Sequence, residues 1–223
     1  MSHHLQKAIA QLKTSLLRVG TRVEESLREA VTALNQRDRE KAQAVIDSDD
    51  AIDQMEVEVE EECLKILALH QPVASDLRFI VASLKINNDL ERVGDLAVNI
   101  SERALYIAQQ SPVDVVLDFQ AMATKAQWML NNSLNALVQQ DIDLARQVCL
   151  ADDEVDDMNR EMYVQVQDAI KRNPEKIELL IHLLSTSRHL ERIADLATNI
   201  AEDVIYMIEG EIVRHRTESY QAE

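Results

Sequence analysis

Two stretches carry side chains whose type and spacing can do chemistry. Residues 90–102 read Leu-Glu-Arg-Val-Gly-Asp-Leu-Ala-Val-Asn-Ile-Ser-Glu, and residues 190–202 read Leu-Glu-Arg-Ile-Ala-Asp-Leu-Ala-Thr-Asn-Ile-Ala-Glu. They differ only by Val/Ile, Gly/Ala, Val/Thr and Ser/Ala exchanges. On a helix, Glu91, Asp95, Asn99 and Glu102 fall within a wedge of ~80°, opposite the apolar set Leu90, Val93, Ala97, Ile100 and Ala104. Glu191, Asp195, Asn199 and Glu202 repeat the pattern. Each stripe of oxygen donors is therefore expected to point away from the core. A second pair of acids precedes each stripe, Asp49 with Asp53 and Asp152 with Asp156, beside an apolar stripe that includes Ile52 and Met55. These pairs are placed to converge on a groove next to the helix bearing the longer motif.

Carboxylate and amide oxygens suit hard cations, namely Mg²⁺, Mn²⁺, iron or Ca²⁺. The candidate metal ligands are Asp49, Asp53, Glu91, Asp95, Asn99, Asp152, Asp156, Glu191, Asp195 and Asn199. Like charges at i,i+4 destabilise a helix by a few tenths of a kcal/mol, about 0.2–0.5. Retaining them in both halves calls for compensation, which a multivalent cation would supply. The plain structural alternative is a solvated acidic face with Arg92 and Arg192 as local salt-bridge partners, and the residues by themselves leave both readings open. A carboxylate-bridged metalloenzyme of helical-bundle type is the catalytic rival. Such sites use inward-facing Glu-x-x-His pairs, and no Glu in the chain has His three residues later. Gly-rich phosphate loops, nucleophile elbows and Ser/His/Asp arrangements are also missing. We therefore expect no enzymatic activity. His182 reads as a satisfied core histidine. His189 stands where the first half has Asp89, so the halves do not share it.

The elements that must position these residues are long helices. The chain of 223 residues has only 3 Gly and 3 Pro, and 3% aromatics, which disfavours a sheet-rich core. Apolar residues make up 46%, enough for a folded core. The formal charge of −17 argues against binding nucleic acid. Cys63 and Cys149 sit in apolar-periodic stretches and read as core residues. No apolar run reaches spanning length, and Met1-Ser2-His3-His4 opens no signal-like apolar region, so a cytoplasmic location without membrane insertion is expected.

Apolar steps of three and four predict six helices, about Leu5–Leu34, Asp38–His70, Ser75–Ala108, Val115–Val138, Asp141–Ile170 and Asn173–Glu209. Asp38, Ser75 and Asn173 are the expected caps, and the polar tail from His215 is expected to fray. Thr32–Asp38 matches Asn135–Asp141, and Ala42, Val45, Asp49, Asp53 and Met55 match Ala145, Val148, Asp152, Asp156 and Met158. The chain thus reads as all-α, with two pseudo-symmetric three-helix bundles over 1–110 and 111–223, each ~45 Å long.

Several segments resemble the PhoU family of phosphate-transport regulators. They are Gln71-Pro72-Val73-Ala74-Ser75-Asp76-Leu77-Arg78, Asp89-Leu90-Glu91-Arg92-Val93-Gly94-Asp95 with Asn99-Ile100, and Leu190-Glu191-Arg192-Ile193-Ala194-Asp195 with Asn199-Ile200. Ala194 departs from a position where the family often has glycine, a change expected to be neutral in a helix. The resemblance implies metal, multinuclear iron or other divalent ions, on the Glu/Asp-x-x-x-Asp motifs. It also implies homodimers and negative regulation of phosphate uptake and of the phosphate-starvation two-component response. The implied partners are the ATPase subunit of the phosphate ABC transporter and the sensor histidine kinase.

Overall fold

The computed structural model describes residues 3–210. The helices are α1 (His3–Gln36), α2 (Arg39–Asp47), α3 (Asp50–His70), α4 (Ala74–Ala108), α5 (Phe119–Gln139), α6 (Ile142–Arg172) and α7 (Ile177–Glu209), the last preceded by a 3-10 turn at Pro174–Lys176. There is no strand among the described residues. The tail from His215 lies outside them.

Carboxylate caps set three of the starts. Asp38 accepts from the Lys41 amide at 3.0 Å, Asp118 from Ala121 at 2.9 Å and Asp141 from Leu144 at 3.0 Å. Each satisfies a backbone donor that the helix itself leaves free, worth about 1 kcal/mol. Gln71, Gln140 and Gly210 end α3, α5 and α7 in the left-handed conformation.

The plan of three long helices per half holds, with local corrections. The expected second helix is broken at Ser48–Asp49 into α2 and α3, where Ser48 Oγ donates to the Val45 carbonyl at 2.9 Å. This bond offers the chain a turn in place of the next helical step. The fifth helix runs unbroken through the matching positions. Ser75 is not a cap: α4 begins one residue earlier, behind an extended Val73 that makes no side-chain cap bond. Asn173 precedes Pro174 as expected, but its amide donates to the Ala169 carbonyl instead of capping. The fourth helix starts at Phe119, later than its periodicity suggests, because Asp118 supplies the cap.

The two motif-bearing helices, α4 and α7, pack against each other as the central pair. Helices α1, α2 and α3 flank α4, whereas α5 and α6 flank α7, and α1 crosses to α5. In the core, Leu90, Val93, Ala97 and Ile100 and their counterparts Leu190, Ile193, Ala197 and Ile200 are fully buried. Each large aliphatic side chain so buried contributes ~1.5–3 kcal/mol. A side chain at Gly20 would run into Leu134 Cδ1, so glycine there lets α1 lie close to α5. Cys63 and Cys149 are both buried. Among the described residues no helix is long and apolar enough to cross a membrane.

Candidate functional site

The expected convergence of the acidic pairs takes place in both halves. The α3 start lays Asp49 and Asp53 beside Glu91 and Asp95 of α4. Burial raises the Asp49 carboxyl to about 6, and the nearby charges of Asp53, Asp95 and Asp50 add to the effect. Burial also raises Glu91, helped by repulsion from Asp95, Asp53, Glu56 and Asp49, and Asp95 is raised by burial and Asp53. The second half builds the same group from α6 and α7. Asp152 rises to about 6 through burial and the charges of Asp195 and Asp156, partly offset by a hydrogen bond with Thr198. Glu191 and Asp195 are raised by burial and Asp156, with Arg192 pulling the other way.

Repulsion of this kind signals carboxylates gathered without a counter-ion. Among the described residues none of these eight groups joins an ion pair. Arg92 is a local salt-bridge partner, as the solvated-face alternative has it, but of Asp89 at 3.5 Å. Arg192 does lie within electrostatic reach of Glu191 and Asp195. Asp95 and Asp195 are exposed and Glu91 and Glu191 half-buried, which places the stripes outside the core.

Asn99 and Asn199 occupy a different place. They line a cleft of about 240 Å³ between α4 and α7, together with Arg92, Asp95, Leu96, Arg192, Asp195 and Leu196. Each aspartate therefore stands between its own acidic group and the shared cleft.

The halves differ in ways that periodicity did not reveal. Glu56 joins the first group, held by the buried Asn87 amide, which donates to its carbonyl at 2.9 Å and to Oε1 at 3.1 Å. Its counterpart is the neutral Asn159, whose Oδ1 accepts from Ser187 Oγ at 2.9 Å. Asp53-x-x-Glu56 is a same-face spacing in the sequence and could have flagged Glu56. Gly94 lets the α3 start approach, since a Cβ there would sit 3.3 Å from Ile52 Cδ1 and 3.5 Å from Asp49 Oδ1. Ala194 fills the matching position and is fully buried. His182 is only half-buried and stacks on Tyr106 at 3.9 Å between ring centroids, so it is not the enclosed core residue expected.

The donor set fits a hard cation: oxygens only, clustered, and without a salt-bridge partner; burial first, and neighbouring charge second, raises Asp49, Glu91, Asp95, Asp152, Glu191 and Asp195. As they stand, no three His, Cys, Asp or Glu side chains among the described residues are drawn into a ready metal-binding group. Asp49, Asp53, Glu91 and Asp95 would hold one ion or cluster, and Asp152, Asp156, Glu191 and Asp195 the other.

Fold and site together define a duplicated, all-helical protein with an acidic surface group in each half. The PhoU domain model matches residues 16–104 and again 119–204. The chain is 39% identical over 212 residues to the phosphate-specific transport system accessory protein PhoU homolog of Aquifex aeolicus, covering 95% of this chain and 96% of that one. It is 36% identical over 221 residues to the homolog from Pseudomonas aeruginosa, covering 96% and 91%. The crystal structure of PhoU from Pseudomonas aeruginosa superposes with a TM-score of 0.89 at 35% identity, over 92% of this chain and 99% of that one. The phosphate transport system regulatory protein PhoU from Streptococcus pneumoniae gives 0.85 at 29% identity, over 94% and 99%. The chain belongs to the PhoU family.

Proposed function

We propose that this chain is a metal-binding accessory protein of phosphate-specific transport that restrains phosphate uptake and the phosphate-starvation response. It works in the cytoplasm as a homodimeric adaptor between the ATPase subunit of the phosphate ABC transporter and the sensor histidine kinase. The observation that carries the reading is the match of the PhoU domain to both halves, with full-length relatives named as transport accessory proteins.

The site supports the metal part of the reading. A divalent or trivalent cation neutralises carboxylates that otherwise repel one another, and so ties the α3 start to α4 and α6 to α7. In each half, the paired aspartates supply ligands from one helix and the Glu-x-x-x-Asp pair from its neighbour. Because Asp95 and Asp195 also line the central cleft, loading either group changes the charge of the face on which the halves meet.

The test is two-part. A strain lacking its own PhoU, given this chain, should regain repression of a phosphate-starvation reporter in phosphate-rich medium. The purified chain, loaded with Mn²⁺ or iron, should retain the transporter ATPase and the kinase cytoplasmic region in pull-downs. Unrelieved reporter expression together with no retention of either partner would refute the adaptor role. Elemental analysis of natively purified protein decides the metal separately.

A further inference from the structure

The two ends of the α4–α7 seam are related by the internal repeat but differ in charge balance. At one end the cations are paired: Lys85 lies 3.2 Å from Asp203, and Arg92 lies 3.5 Å from Asp89. At the positions one hundred residues away, Asp89 becomes His189 and Asp203 becomes Arg103, with Arg188 and Arg192 alongside. The electrostatic reach of Arg103, Arg192 and Arg188 extends to the His189 ring. No ion pair among the described residues uses any of these three arginines. Both ring nitrogens of His189 and Nε of Arg103 are buried with no hydrogen-bond partner. The nearby Glu178 carboxylate is engaged by the Tyr106 hydroxyl.

Three unfilled hydrogen-bonding atoms under a cluster of guanidinium groups are anomalous in a chain of charge −17. Buried polar atoms are nearly always satisfied, because an orphan forfeits its hydration with nothing in return. Fixed guanidinium forks match tetrahedral oxyanions, and a neutral imidazole adds one donor and one acceptor.

We propose that Arg103, His189, Arg188 and Arg192 form a binding site for a small tetrahedral oxyanion, with inorganic phosphate as its probe. Phosphate oxygens accept from the Arg103 Nε and from one imidazole nitrogen, while the more exposed Arg188 and Arg192 supply charge. The orphan atoms are buried, so they do not face a macromolecular surface. Arg188 and Arg192 also reach the Glu191 carboxylate, and the site needs no cation there.

The experiment is a calorimetric titration of the full chain with inorganic phosphate after chelator treatment, at constant ionic strength. We expect one saturable phosphate per chain. Arg103→Gln and His189→Asp, the latter restoring the aspartate of the other half, should each weaken binding at least tenfold. Arg188→Gln, at an exposed position that folding tolerates, should weaken it at least threefold, whereas Arg160→Gln on α6 should leave it unchanged. Absence of saturable binding, with the orphan atoms then holding water only, would overturn the proposal. So would chloride reproducing the effect, or binding that survives Arg103→Gln, His189→Asp and Arg188→Gln in folded protein. Because the metal is removed beforehand, this result and the fate of the cation reading are independent.

Discussion

Replacing Asp95 by asparagine should change stability in opposite directions with and without metal. In the metal-free protein, Asp95 repels Glu91 one turn away on α4 and also faces Asp53 and Asp49 at the start of α3. An i,i+4 like-charge pair is worth ~0.2–0.5 kcal/mol, and the partly exposed neighbours on α3 add a solvent-screened amount of similar size. Asp95→Asn keeps the shape and removes this repulsion, a gain of ~0.5–1 kcal/mol. For a domain of this length, 1 kcal/mol shifts Tm by ~2–4 °C, so the metal-free variant should melt ~1–4 °C higher. With Mn²⁺ at one hundred times its Kd, each occupied site stabilises the native chain by ~2.7 kcal/mol, or ~5–11 °C. The variant loses a charged ligand and with it most of the first-half response. Calorimetry of chelator-treated protein, repeated with Mn²⁺, reads both signs. Asp195→Asn should gain less without metal, because Arg192 already offsets part of the repulsion there. A fall in the metal-free Tm of Asp95→Asn, or a full metal response in the Asp95→Asn, Asp195→Asn double variant, would refute this reasoning.

The remaining expectations concern pH, packing and caps. Asp49 and Asp152 ordinarily titrate at 3.8 but do so at about 6 in the folded chain, so their contribution to stability is complete below pH ~4 and disappears as pH rises through 6. Urea midpoints of metal-free protein should fall over that window, and the Asp49→Asn, Asp152→Asn double variant should lose much of the slope. Gly94→Val should cost ~1–3 kcal/mol by overpacking Ile52, and should weaken the Mn²⁺ response of the first half by pushing the α3 start off α4, read as a reduced thermal shift. Ala194→Gly should cost ~1 kcal/mol in helix propensity without disturbing metal uptake. Asp141→Ala removes the bond to the Leu144 amide and should lower stability by ~1 kcal/mol in chemical denaturation.

Much of the architecture is legible in the chain because it is written in local rules. Periods of three and four, Asp38 and Asp141 ahead of apolar runs, and the scarcity of glycine and proline define long helices. The repeat around Glu91 and Glu191 defines two equivalent halves. The same phase argument puts Asp95 and Asp195 outside the core, where the structure has them. The break at Ser48–Asp49 was not legible, since no proline or glycine marks it; the Ser48 bond to the Val45 carbonyl and the packing of the α3 start against α4 through Ile52 and Gly94 favour the turn together. Ser75 failed as a cap because the chain turns earlier, at Val73 and Ala74.

By itself, the sequence determined which side chains share a helical face, because spacing along one helix is set by backbone geometry. Only the tertiary structure decided which faces meet. It joined Glu56 to the first acidic group and set Asn99 and Asn199 in the cleft between α4 and α7. It also brought Arg103 to His189 across a separation of 86 residues. The physical reason is that contacts between helices depend on how their buried stripes interlock. That interlocking is a property of the whole core, which no window of residues contains.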